Sequence, residues 1–167
     1  MDLKKLFEIQ AGLDIHIEKE HPTKDGEERL YKKILALHVE LGELANELPE
    51  VFKFWSNKKN NRKKALKEYV DCFHFILSIG NELYHRKQAH KLDINFEKND
   101  KSILWHFNSL IATFSDLWNY GEIEETYGSV IKTFLDLGEL IGFSYEEIEV
   151  AYLEKNQENH HRQLNGY

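Results

Sequence analysis

The chain has one cysteine, two prolines and no apolar run near the roughly 20 residues that a membrane-spanning helix needs. Cys72 therefore has no partner for an internal disulfide, and its place in an apolar helical run marks it as a buried thiol suited to a reducing compartment. Pro22 and Pro49 both fall between helical patterns, as expected of a residue that lacks a backbone donor. Strand-like alternation of polar and apolar residues is absent throughout. A basic surplus is missing too. The formal charge of -7 argues against a dedicated nucleic-acid binder, because phosphate affinity comes largely from clustered Lys and Arg. The opening MDLKKLFEIQAGLD moves straight into a helical pattern with no apolar signal region, so nothing marks it for export and the cytoplasm is the expected compartment.

What is present is apolar periodicity. Hydrophobic residues make up 41% of the 167 residues and aromatics 13%, enough for one globular domain over residues 1–167 with a substantial core. A first helix is expected over about residues 3–18, on Leu6, Ile9, Leu13 and Ile17, and a second over about 28–48, on Leu37, Leu41, Leu44 and Leu48, until Pro49 stops it. A third, about 63–86, is organised on Leu66, Val70, Phe73 and Leu77. After the polar loop at 91–100, a fourth over 102–119 uses Leu104, Phe107, Ile111, Phe114 and Trp118. A fifth over about 124–141 breaks at Gly142, and a sixth opens with Ser144 and Glu147 at capping-box spacing and runs to about residue 159. The fold class is all-α, a bundle of about six helices with short connections.

The second helix places Glu40, Glu43 and Glu47 in one column beside its leucine stripe, where like charges repel. Glu68 and Asp71 repeat that spacing on the third helix, next to Leu66 and Val70. Two E-x-x-[ED] pairs bordering the buried faces of successive helices can converge, and a positive ion would relieve the repulsion. Four carboxylates with no nearby Cys or paired His make a hard oxygen site, suited to Mg²⁺ or Mn²⁺ rather than zinc. Magnesium recruits phosphate oxygens, so a phosphorylated substrate is the natural ligand.

Around these pairs stand groups that would suit a nucleotide. VFKFW, after Pro49, is a loop rich in aromatic surface, and Trp55 offers a base a stacking face. Phe75, four residues after Asp71, shares its helix face and could exclude a ribose 2′-hydroxyl, while His74 is either a core histidine or a reader of a base edge. Lys155, Asn159 and Arg162 recur at helical spacing as a phosphate clamp, with Gly166 and Tyr167 at the end of the chain placed to fold over a ligand. The basic run from Lys58 to Lys67 reads as a solvated loop and first turn, or as an electrostatic lure for an anion.

VELGELANE, FKFW, EYVDCFHF and KNQENHHRQLNGY together resemble the motifs of the dimeric, all-α dUTP diphosphatases, relatives of the MazG-type nucleotide pyrophosphohydrolases. The resemblance runs from LFEIQAGLD to the last residue, with little from 92–128. It implies a MazG-like bundle, a homodimer, two or more Mg²⁺ ions and hydrolysis of dUTP to dUMP and pyrophosphate. By that resemblance Glu40, Glu43, Glu68 and Asp71 hold the metal, with Glu43, then Glu40, the favoured proton acceptor. Gln10, Trp55 and His74 would lie in the uracil pocket, Phe75 on the deoxyribose, and Lys155, Asn159, Arg162 and Tyr167 on the phosphates. Asp14 stands where relatives often carry asparagine, which leaves its contact to the base less secure.

LDLGELIGF at 135–143 echoes VELGELANEL, and Asp136 with Glu139 then belongs to a degenerate copy that supplies packing. Three other readings carry distinct signatures. A dCTP-type pyrophosphatase shares the metal site and differs at the base pocket. A di-iron bundle needs Glu-x-x-His pairs, a spacing met by Glu82 with His85 and Glu158 with His161 near helix ends. A non-catalytic helical adaptor would release no pyrophosphate.

Overall fold

A computed structural model describes residues 1–85, 100–120 and 127–166. Seven helices are found among them, in the order α1 (Leu3–Glu20), α2 (Arg29–Asn46), α3 (Pro49–Phe52), α4 (Arg62–His85), α5 (Ile103–Tyr120), α6 (Tyr127–Ile141) and α7 (Tyr145–Leu164), and the described residues contain no strand. Most of the loop expected at 91–100, together with Arg86, Glu124 and Tyr167, lies outside the described residues.

Local signals account for most boundaries. Asp2 caps α1 by accepting from the Lys5 N–H at 3.1 Å. Ser144 and Glu147 form the expected capping box at the start of α7. Gly142, at φ 97°, ends α6: its N–H donates to Glu139 O at 3.0 Å, and the Phe143 N–H donates to Gly138 O at 2.9 Å. That pairing satisfies the last carbonyls and needs the left-handed backbone that glycine adopts freely. Two boundaries depart from the sequence expectation. Pro49 separates α2 from α3 but also occupies the first turn of α3, where a missing N–H costs nothing. α7 runs to Leu164, because no glycine or proline interrupts it before Gly166.

α4 sits at the centre, packed by α1, α2, α6 and α7, while α5 covers α2 and α6. One apolar cluster joins Leu6 of α1, Leu37, Leu41 and Leu44 of α2, Phe73 and Leu77 of α4, Phe114 of α5, Phe134 of α6 and Tyr152 of α7. α5 breaks the expected stripe: Phe107 and Phe114 are buried, whereas Leu104, Ile111 and Trp118 face solvent. These three stand seven residues apart, along one line of the helix, and among the described residues they stay 41% to 57% exposed, with Tyr31 edge-on to Trp118.

α4 and α6 approach closely at Gly138. A Cβ there would stand 2.5 Å from the Tyr69 hydroxyl oxygen, whose ring stacks on Phe134 with centroids 4.2 Å apart and whose hydroxyl donates to Phe134 O at 2.9 Å. The ring is fully buried and has no room to yield. Gly138→Ala is expected to cost about 1–3 kcal/mol, measured by urea denaturation; unchanged stability would show that the helices separate freely.

Candidate active site

α2 and α4 bring three carboxylates together. Glu40, Glu68 and Asp71 each offer an oxygen, and these oxygens lie within 4.8 Å of one another, all on half-buried residues. No other such group occurs among the described residues. Burial, then the charges of Asp71, Glu43 and Glu68, pushes the Glu40 carboxyl up to about 7. Glu68 is raised as well, by burial first and Asp71 second. Glu43 is exposed and stands outside the trio, one turn beyond Glu40, but close enough to act on both Glu40 and Glu68.

The countercharge comes from α7. Lys155 Nζ lies 2.6 Å from Asp71 Oδ1 and 2.8 Å from Oδ2, and both side chains are largely shielded. The lysine expected on phosphates thus binds a carboxylate in this structure. Three acids against one amine leave the cluster short of positive charge, and its donors are all oxygen. A hard divalent cation fits that set.

Beside the acids, α1, α4 and α7 enclose a polar relay. Gln10, 2% exposed, donates from Nε2 to Asp14 Oδ1 at 2.9 Å, and its Oε1 accepts from the Tyr152 hydroxyl at 2.9 Å. The same Oε1 is 2.8 Å from His74 Nδ1. Ser78 donates to Asp14 Oδ1 at 2.8 Å. His74 stacks on Tyr152 with centroids 4.2 Å apart, and its Nε2 is buried without a partner. Burial, and secondarily Lys155, holds the imidazole down to about 3, so the ring is neutral. Gln10, Asp14 and His74 therefore meet in one network, whose His74 feels the charge of the Lys155 that pairs with Asp71.

The remaining candidates are placed more loosely. Phe75 is half-buried and packs on the core. Trp55 is 65% exposed, edge-on to Phe52 and Phe54 at 6.2 and 4.8 Å, in the loop after α3. Asn159 is half-buried on α7, and Arg162 pairs with Glu158 one turn away. Tyr152 and Ser78 were missed by sequence reasoning. Ser78 follows Asp71 and His74 by seven and four residues on α4, and Tyr152 precedes Lys155 by three on α7, so extending each helix face by one turn would have found them.

Of the rival pairs, the side chain of His85 lies outside the described residues and the other three residues are each engaged elsewhere. Glu158 is engaged with Arg162 and His161 with Asn165, while Glu82 pairs with Lys33 at 2.9 Å. In the echo, Asp136 pairs with Lys132 on its own helix and Glu139 is exposed. The basic run is solvated as expected, with Lys59 on Glu50 and Arg62 on Glu147.

An all-helical bundle with an acid cluster between two helices and a buried polar relay beside it defines an all-α carboxylate-site protein. The chain belongs to the all-α dUTPase family: the family model described as dUTPase matches residues 2–167. It is an enzyme that hydrolyses dUTP, in a family that works with a nucleotide substrate and a divalent metal. No curated protein matches the chain.

Proposed function

We propose that the chain, working as one domain, hydrolyses dUTP to dUMP and pyrophosphate with two or more Mg²⁺ ions, for which Mn²⁺ can substitute. The observation that carries this is the convergence of Glu40, Glu68 and Asp71 from two helices, at a cost in repulsion that a cation would reverse. These three residues would hold the metal, with Glu43 at the rim. When bound, the metal supplies positive charge against the phosphate oxygens and acidifies a water.

The other steps belong to side chains. Glu43, exposed beside the trio, accepts the proton of the attacking water. Lys155, which pairs with Asp71, and Arg162 would balance charge on the departing pyrophosphate, with Asn159 and Tyr167 as further phosphate contacts. Gln10, Asp14 and His74 face the uracil, Trp55 stacks on it and Phe75 packs against the deoxyribose. The buried, unpaired Cys72 suits the reducing cytoplasm. Pyrophosphate release measured across dNTPs and rNTPs with Mg²⁺ should show dUTP far ahead and no activity with a chelator. Equal turnover of dCTP would contradict the substrate, and chelator-resistant turnover the metal.

We also propose a homodimer built on α2 and α5. The two helices run antiparallel, from Tyr31 against Trp118 at 4.6 Å to His38 against the Ile111 backbone. Leu35 and Val39 on α2 and Leu104, Ile111 and Trp118 on α5 are 41% to 66% exposed, and α5 carries one charged residue, Asp116. Together they leave several hundred Å² of apolar surface, a large share of the roughly 800 Å² per partner in a standard interface. A charge-poor face of two antiparallel helices suits a second copy, giving a four-helix contact about a two-fold axis. Ile111→Glu is expected to convert a dimer to a helical monomer in light scattering. A monomeric wild type would contradict the dimer, and a dimeric variant only the face.

A further inference from the structure

Ile148, Tyr152 and Asn156 anchor α7 in the core, but none of residues 157–166 is buried, so packing does little to fix the stretch that carries Asn159 and Arg162. Polar contacts tie α7 to α1 at two levels. The Tyr152 hydroxyl donates to Gln10 Oε1 at 2.9 Å, and one level further on His160 Nδ1 lies 2.8 Å from His16 Nδ1, both residues half-buried. The two imidazole centroids are 5.1 Å apart and the planes 23° from parallel. With the nitrogens 2.8 Å apart, so long a centroid separation requires both nitrogens to lie on the line between the rings. The imidazoles therefore meet head-on and not face to face. Such a contact holds one proton. Two bare lone pairs would repel, and so would two N–H groups, so one ring donates and the other accepts. A second proton would set donor against donor and charge against charge.

We propose that His16 and His160 are positioning residues that form a one-proton latch: they pin the end of α7 to α1, and so hold Asn159 and Arg162 in place for the phosphates, until acid supplies a second proton and the latch opens. This rests on the reading above that Asn159 and Arg162 meet the phosphates, and adds a pH limit to it. The charged groups nearby are engaged with one another. One turn from His16 on α1, Lys19 and Glu20 are exposed and 4.0 Å apart, while Asp14 and Glu18 bond Ser78 and Thr23. The residues one turn from His160 on α7 are uncharged, and on adjoining lines Glu158 pairs with Arg162 and His161 with Asn165. α4 meets the two helices nearer their starts, through His74 on Gln10 and Asp71 on Lys155. Burial, then His16, holds the His160 ring below its ordinary value of 6.5. A ring set free from the contact takes up the proton first, so the latch holds above about pH 6.5 and weakens as pH falls below it.

The experiment compares the full-length wild type with His160→Asn and His160→Ala, at about pH 5.5 and about pH 7.5, by amide hydrogen exchange of residues 157–166 and by KM and kcat for dUTP with Mg²⁺. Asparagine reaches as far as Nδ1 and keeps a hydrogen bond, but takes up no proton. At the lower pH the wild type is expected to lose protection over this stretch that His160→Asn retains. Its KM should rise roughly three- to tenfold more than that of His160→Asn, the worth of about one hydrogen bond, with kcat changing alike in both. His160→Ala should show the open helix end and the raised KM already at the higher pH. Acids at the metal end titrate alike in these chains and cancel from the comparison. Equal loss of protection in wild type and His160→Asn overturns the proposal, as does a helix end that opens without moving KM. Arg162→Ala tests the underlying reading separately: it should raise KM at both pH values, and an unchanged KM would remove the phosphate contact while the exchange data still decide the latch.

Discussion

Glutamine at position 43 is expected to lower kcat for dUTP by about 10²–10⁴, the usual contribution of a positioned proton acceptor, while Mg²⁺ affinity stays within a few-fold of wild type. The separation of these two quantities follows from geometry. Glu43 is exposed and outside the trio of converging oxygens, whereas Glu40, Glu68 and Asp71 are half-buried and share one small space. A residue beside the cluster can take a proton without holding the ion. Single-turnover kinetics, paired with Mn²⁺ binding followed by electron paramagnetic resonance, tests the split. Parallel loss of metal affinity and kcat would make Glu43 a ligand and pass the proton-accepting role to another group.

Glu40→Gln is expected to act in opposite directions on stability and activity. Glu40 is held up to about 7 in the folded chain, against an ordinary carboxylate value of 4.5. Below about pH 4.5 the group is protonated in folded and unfolded chains alike and costs nothing. As pH rises towards 7 the unfolded chain ionises first, so the folded state loses stability, and the loss is complete above 7. Glutamine mimics the protonated acid at every pH. In chelator, the variant should therefore melt a few degrees above wild type at pH 8 and level with it near pH 4.5, while dUTP turnover with Mg²⁺ disappears. Melting curves at the two pH values check the first half and pyrophosphate release the second. A variant less stable than wild type at pH 8 would mean that Glu40 is a structural acid.

The sequence announced the site through spacing. Glu40 and Glu43 border the leucine stripe of α2, Glu68 and Asp71 border the core positions of α4, and helical geometry then left few places for those side chains to go. The helices themselves were legible for the same reason, down to the Ser144 cap and the Gly142 stop. Spacing along one helix does not say which side chains from three helices share a hydrogen bond. That is why the engagement of Lys155 with Asp71, and the meeting of Gln10, His74 and Tyr152, emerged only from packing. Leu104, Ile111 and Trp118 show the opposite limit. Their period promised a buried face, and among the described residues they stay 41% to 57% exposed, because periodicity records an apolar line and not what lies against it.

The acid cluster and the relay also bear on each other. Lys155 touches Asp71 and helps keep the His74 ring neutral, so charge at the acid cluster is felt in the relay. α4 carries Asp71, His74 and Ser78 on one face and thereby fixes the distance between the acid cluster and the relay.

The most direct measurement is a crystal of the protein grown with Mn²⁺ and a non-hydrolysable dUTP analogue, with anomalous scattering recorded at the manganese edge. The carboxylate site predicts a manganese peak at coordination distance from Glu40, Glu68 and Asp71, with the triphosphate oxygens completing its shell. Manganese bound elsewhere, or an analogue whose phosphates lie away from these three acids, would contradict it.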